Sequence, residues 1–279
     1  MKRRYFLYAS TGGLACLADE AAGPLAGRIK LAVKYQMILE PDLSVLEKLE
    51  LLKRIGFDGT ELSSWEKVDH DELLEAIRET GIPVHGIVNA GRPEILPAIS
   101  LAKKLKSESV LVYAAEDKSL SYNENFAFWQ KRVREALPAA DEAGIKICIE
   151  NVRATFLKTA EGMAKFIDSF ETDTVRSYFD LGNTITWTEQ PGEHWAEVLG
   201  KRIHKLDIKD RGHAEFGDAK QKRKGITSGT NGGEVNWADV RRHLAANGFS
   251  GWATAEVRGG NEERLTRMKA WMEDVLDLK

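Results

Sequence analysis

From about residue 28 onward, short runs rich in β-branched residues alternate with longer segments whose apolar positions recur every three or four residues. The short runs, at 29–35, 59–62, 83–88, 109–113, 145–150, 175–180, 203–208 and 251–256, have the length and composition of buried strands. Helical segments follow them. Segment 43–55 carries apolar residues at helical spacing, 71–80 begins with acids suited to the positive end of a helix dipole, and 263–278 closes the chain. Gly56, Gly81, Gly144 and Gly248 fall just after helical runs, where a left-handed terminal residue favours glycine. The alternation occurs eight times in residues 28–279, about 31 residues per unit, which is the size of a βα repeat. The pattern therefore predicts an α/β chain folded as one (β/α)8 TIM barrel. A doubly wound sheet with a second domain fits less well, because no Gly-x-Gly-x-x-Gly follows the first strand and no linker divides the chain.

Residues 1–27 read differently. Lys2-Arg3-Arg4 precedes Tyr5-Phe6-Leu7 and then a small-residue stretch ending near Asp19-Glu20. Arg3-Arg4-Tyr5-Phe6-Leu7 is similar to a twin-arginine export signal, and the stretch behind it is too short and small-sided to span a membrane. Residues 1–27 are thus expected to be a signal peptide on a periplasmic or otherwise exported protein. A basic tail on a cytoplasmic one is the alternative.

Composition narrows the function. Hydrophobic residues make up 43% and charged residues 30%, which excludes a disordered chain. Lys plus Arg total 40 and Asp plus Glu 43, a net charge of −3 with the signs interspersed, so nucleic acid is not the expected partner. The basic run at 220–224 reads as a solvated loop. Cys16 and Cys148 sit in unlike settings and give no disulfide framework, and Cys148 reads as a buried strand residue. A chain of this length buries enough surface to fold without a structural metal, so any metal would serve chemistry.

In a TIM barrel the active residues sit at the C-terminal strand ends. The last four predicted strands end in Glu150-Asn151, in Asp180-Leu181-Gly182-Asn183, in Asp207-Ile208-Lys209-Asp210 and in Glu256-Val257-Arg258. Glu150, Asp180, Asp207 and Glu256 are 30, 27 and 49 positions apart, the last gap being widened by the segment before Val235. Four carboxylates converging above a barrel repel one another, and a divalent cation is the natural counter-charge. An all-oxygen set suits Mn2+ or Mg2+ better than Zn2+ or Co2+. Any one of these acids alone reads equally well as a helix cap or an ion-pair partner of Arg258; the four together read as ligands. His204 is one residue off the inward face shared by Lys205, Asp207 and Lys209, which makes Asp207 the expected ligand of that strand.

At these residues the chain resembles the xylose isomerase-like barrel superfamily, in particular the sugar phosphate isomerases and epimerases. That group includes D-tagatose 3-epimerase, hydroxypyruvate isomerase, inosose dehydratase and, more distantly, endonuclease IV. The resemblance spans roughly residues 28–279. It rests on Ala32-Val33-Lys34-Tyr35, Phe57-Asp58-Gly59-Thr60-Glu61, Glu150-Asn151, Asp180-x-x-Asn183 and Gly233-Glu234-Val235-Asn236-Trp237. It implies that Glu150, Asp180 and Glu256 are metal ligands, with Asp207 standing where the family usually has a histidine and Asn183 where many members have another. It also implies that Glu150 and Glu256 face opposite sides of a bound ketose and pass a proton through a metal-stabilised enediolate. Lys209, Asn183, Arg258, His85 and Glu61 are the implied substrate contacts, and Trp187 and Trp237 candidate pocket walls; His85 and Glu61 read equally well as a satisfied core residue and a structural ion pair. The function implied is a metal-dependent isomerase or epimerase of a small ketose or keto-sugar. With no phosphate-binding glycine motif, a free sugar or glycoside is the expected partner. A lyase or dehydratase of a 3-keto sugar or inosose, and a non-catalytic sugar-binding barrel, are the alternatives. Cleavage at abasic DNA would need more histidines and a basic face. Homo-oligomerisation stays open.

Overall fold

A computed structural model describes residues 23–188, 190–213, 215–218 and 233–279. The twin-arginine segment and the basic run at 220–224 lie outside the described residues. Packing begins before residue 28, because Leu25 is fully buried in the core.

Eight parallel strands form a closed barrel: β1 (Ile29–Lys34), β2 (Gly59–Ser63), β3 (Val84–Ala90), β4 (Ser109–Val112), β5 (Lys146–Glu150), β6 (Val175–Asp180), β7 (Ile203–Ile208) and β8 (Gly251–Ala255). The barrel shuts by pairing β1 with β8, from Ile29 opposite Gly251 to Val33 opposite Ala255. Around it, among the described residues, run α1 (Val45–Ile55), α2 (His70–Thr80), α3 (Leu96–Leu105), α4 (Tyr122–Ala143), α5 (Ala160–Asp168), α6 (Leu181–Trp187), α7 (Gly192–Leu199), α8 (Trp237–Ala246) and α9 (Glu262–Leu276). None of these helices is long and apolar enough to cross a membrane. The expected TIM barrel is the observed fold.

Local sequence explains where the helices begin and end. Ser44 with Glu47 and Ser121 with Glu124 make reciprocal capping boxes that satisfy the free N–H groups opening α1 and α4. Gly56, Gly81 and Gly144 end α1, α2 and α4 in the left-handed conformation. The outer core lies between strands and helices and holds Leu49, Leu73, Ile99, Val133, Phe166, Trp195, Val240 and Met268.

The inside of the barrel is different. A small apolar group, Val88, Leu111, Cys148 and Tyr178, forms a cluster apart from the outer core. Branched aliphatic side chains usually fill such an interior in layers. Here Lys34, Glu61, His85, Glu150, Asp180, Lys205 and Asp207 are buried among the strands instead.

Candidate metal centre

Alternation along a strand sends every second side chain inward, so the strand-end acids point to one place. Glu150, Asp180, Asp207 and Glu256 each offer an oxygen, and these oxygens all lie within 4.8 Å of one another. All four expected ligands are therefore brought together at the C-terminal mouth. Asp180 and Asp207 are fully buried and sit opposite each other where β6 pairs with β7.

Two lysines enter the same cage. Lys34, from the end of β1, places Nζ 3.1 Å from Asp207 Oδ2 and 2.5 Å from Glu256 Oε1. Lys209, just past β7, places Nζ 2.6 Å from Asp180 Oδ2 and 2.5 Å from Glu256 Oε2. Each oxygen of Glu256 thus meets its own ammonium group. Burial raises the Glu256 carboxyl, yet Lys34 and Lys209 outweigh it and hold the group below the usual carboxylate range. The other three move the opposite way. Burial, then the neighbouring carboxylates, push Glu150 and Asp207 well up, while Asp180 rises through burial to about 7 against the pull of Lys209. Burial works against the charged form of both lysines, but the surrounding acids hold them above the ordinary lysine value.

The donor set fits a divalent cation. It is all oxygen and in excess of the ammonium groups, and Asp207 Oδ1 is buried without a hydrogen-bond partner. Hard oxygen ligands of this kind bind Mn2+, Mg2+ or Zn2+.

Amides fix the carboxylates in place. Asn151 Nδ2 donates to the Asp180 carbonyl at 2.7 Å while its Oδ1 accepts from the Asp180 N–H at 2.8 Å, tying the ends of β5 and β6 together. Asp180 Oδ1 accepts the Asn183 N–H at 2.9 Å, so this one carboxylate both caps α6 and faces the cage. Asn183 Nδ2 donates to the Asn151 carbonyl at 2.9 Å and lies 3.4 Å from Glu150 Oε1. Gly182 is required by closeness: a Cβ there would stand 2.3 Å from Lys209 Cγ. Beside the cage lies a cavity of about 140 Å³ lined by Gly182, Asn183, Thr186, Trp187, Lys209, Asp210 and Arg211. Its floor is anchored by Asp210. Oδ1 of that residue accepts the N–H groups of Glu234 and Val235 at 2.8 and 3.0 Å, and Oδ2 accepts Trp237 Nε1–H at 2.8 Å.

Glu61 and His85, expected at the substrate, lie one layer below the cage. Their neighbours there are Tyr178, Lys205 and Thr254. Lys205 Nζ is 2.8 Å from His85 Nδ1, His85 Nε2 is 3.3 Å from Thr254 Oγ1, Thr254 Oγ1 is 3.0 Å from the Tyr178 hydroxyl, and that hydroxyl is 2.9 Å from Glu61 Oε2. Burial and then Lys205 hold His85 well below its ordinary value, so the ring is neutral. A single order of donors runs along these contacts, ammonium to imidazole, imidazole to threonine, threonine to tyrosine, tyrosine to carboxylate, and leaves Glu61 Oε1 buried without a partner. The His85 ring is further stacked on Trp252, with centroids 4.0 Å apart.

The remaining expectations divide. Lys209 and Asn183 sit at the cage and cavity, whereas Arg258 is exposed beyond β8, its carbonyl accepting from Arg264 Nε. Trp187 is 37% exposed on the cavity wall with the Arg153 guanidinium over its ring, and Trp237 is fully buried on Asp210. His204 points away, 3.7 Å from Glu108. Burial raises the Cys148 thiol to about 12, which leaves it inert. Sequence reasoning missed Lys34 and Asn151 as parts of the centre. Lys34 had a usable signal, since it ends β1 directly after the apolar run Leu31-Ala32-Val33.

The pattern of the xylose isomerase-like TIM barrel family matches residues 49–275. No curated protein matches the chain in sequence. Among solved structures, the 3-keto-D-glucoside 4-epimerase YcjR of E. coli is 17% identical with a TM-score of 0.70, over 88% of this chain and 99% of that one. D-psicose 3-epimerase of Clostridium cellulolyticum H10, solved with D-tagatose, is 14% identical with a TM-score of 0.71, over 89% and 99%. The IOLI protein, solved with a zinc atom, is 17% identical with a TM-score of 0.72, over 88% and 98%. Identities this low carry a likeness of fold. The match over residues 49–275 carries more: this chain belongs to the xylose isomerase-like TIM barrel family.

Proposed function

We propose that the protein is a divalent-metal-dependent isomerase or epimerase of a small ketose or keto-sugar, Mn2+ or Mg2+ being the expected ion. The observation that carries this reading is the convergence of four strand-end carboxylates within 4.8 Å, one of them with a buried oxygen that no donor satisfies. The similar folds of proteins named as 3-keto-D-glucoside and D-psicose epimerases, and the zinc atom in the IOLI structure, support it.

Glu150, Asp180, Asp207 and Glu256 would hold the cation. When bound it polarises the sugar carbonyl and makes the adjacent C–H more acidic. Glu150 and Glu256 come from strands three apart around the barrel, so they approach a bound sugar from different sides. One carboxylate takes the proton from the carbon beside the carbonyl, leaving an enediolate, and the other returns a proton from its own side. Lys209 lies at the cavity and donates to oxygen there, where developing negative charge gains most.

The test is a metal analysis of the purified protein followed by incubation of ketoses and 3-keto-glycosides in D2O. Bound divalent metal, with deuterium incorporated beside the carbonyl and an epimer formed, is the expected result. Loss of water or of an aglycone without epimer formation would favour elimination instead. Absence of both metal and exchange would overturn the reading.

A further inference from the structure

Fully ionised, the four cage carboxylates carry four negative charges, and Lys34 and Lys209 bring two positive ones into contact with them. Two negative charges remain, the amount one divalent cation cancels. The two lysines are not equivalent. Lys209 is partly exposed and lines the cavity, so it can turn toward a ligand there. The Lys34 side chain is only 6% exposed, and its Nζ bridges Asp207 and Glu256, two of the residues that would hold the ion. The other oxygen of Asp207 is buried without a hydrogen-bond partner.

We propose that Lys34 is a built-in counter-cation of the cage: it holds Asp207 and Glu256 in register while no divalent ion is bound, and it sets the affinity for that ion by repelling it. The proposal rests on the metal-dependent reading. Lys34 acts here as a positioning residue. An ammonium group is a compact point charge on a flexible stem, able to hold two carboxylates without sharing their geometry with a metal. Its removal has opposite effects on two properties. The empty cage keeps four acids against one ammonium and loses stability, while an arriving dication meets one positive charge fewer. At a separation of a few ångströms in a poorly solvated site, that difference is worth at least about tenfold in affinity.

The experiment compares the full-length protein with Lys34→Gln, Lys34→Met and Lys34→Arg variants after chelation. Mn2+, Mg2+ and Zn2+ are each titrated by calorimetry, and thermal unfolding is followed in chelator and in saturating Mn2+. The neutral variants are expected to bind Mn2+ at least about tenfold more tightly than the unmodified chain, to melt lower in chelator, and to recover in Mn2+. Lys34→Arg keeps the charge and should stay within a few-fold of the unmodified affinity. Equal or weaker affinity in the neutral variants, or an equal gain in Lys34→Arg, overturns the proposal and leaves the metal reading intact. Neutral variants that fail to fold even in Mn2+ also overturn it. No binding of any of the three ions by any form overturns the proposal and the metal reading together.

Discussion

Two polar layers occupy the barrel, and three strands build both. β6 supplies Tyr178 below and Asp180 above, β7 supplies Lys205 and Asp207, and β8 supplies Thr254 and, one residue past its end, Glu256. A step of two residues along each strand separates them. The lower layer runs from one ammonium through neutral groups to one carboxylate, so its charges balance even though Glu61 Oε1 is buried without a hydrogen-bond partner. The upper layer sets four carboxylates against two ammonium groups. Buried charge is present in both, so burial of charge does not mark a site. Imbalance does.

Substitutions that abolish this contrast have the largest expected effects. Glu150→Gln should slow solvent deuterium exchange into substrate by roughly a thousandfold, in the range that positioned acid–base groups contribute. It should leave the chelated protein as stable or more stable, because it relieves repulsion in the cage. A variant that exchanges at the original rate would place the chemistry elsewhere. In the lower layer the order reverses. Lys205→Met removes the cation of this network, whose Nζ also lies 3.4 Å from Glu108, and leaves the buried Glu61 carboxylate without its counter-charge, at a cost of about 3 kcal/mol in urea unfolding. Activity per folded molecule should change little. A large loss of turnover in a stably folded Lys205→Met protein would show that the two layers work as one.

The smallest effect, a few degrees in melting temperature, concerns pH. In the metal-free protein Glu150, Asp180 and Asp207 are raised, Asp180 to about 7, so the native state binds more protons than the unfolded chain above the ordinary carboxylate range. By linkage their contribution is present at low pH and is lost as pH rises through their folded values. Glu256 is lowered, and its contribution is lost only as pH falls below the ordinary range. His85 and His204 are lowered by burial, the latter to about 4, and oppose the acids below the ordinary histidine value. The clean readout is therefore the gain in melting temperature from saturating Mn2+, in which the histidine contributions cancel. That gain should grow from pH 5 to pH 7.5, as the cage gives up the protons that compete with the ion. A gain that shrinks with pH would contradict the protonated state of the empty cage.

The strands were legible because buried parallel strands are short apolar runs, and β6 and β7 begin and end where the pattern places them. The acids were legible because four of them fall on consecutive strand ends. The depth of a polar residue was not. Register shifts between Thr60 and Glu61 and between Ser177 and Tyr178 break the simple alternation, so parity alone cannot rank Glu61 or His85 by height in the barrel. Lys34 was passed over because attention to ligands selects acids and imidazoles. Its long stem carries its charge from β1 across to partners on β7 and β8.

Asp210 has a consequence for how such a barrel diversifies. It follows Lys209 directly, and it also grips the chain where that chain returns at Glu234 and Val235. The segment between departs and re-enters at one clamp. Closing a loop costs only slowly more as the loop lengthens. Residues between the two can therefore be exchanged, added or removed while both ends stay fixed, with Lys209 held still at the root. New substrates become reachable by splicing at a single hinge post, without rebuilding the barrel beneath.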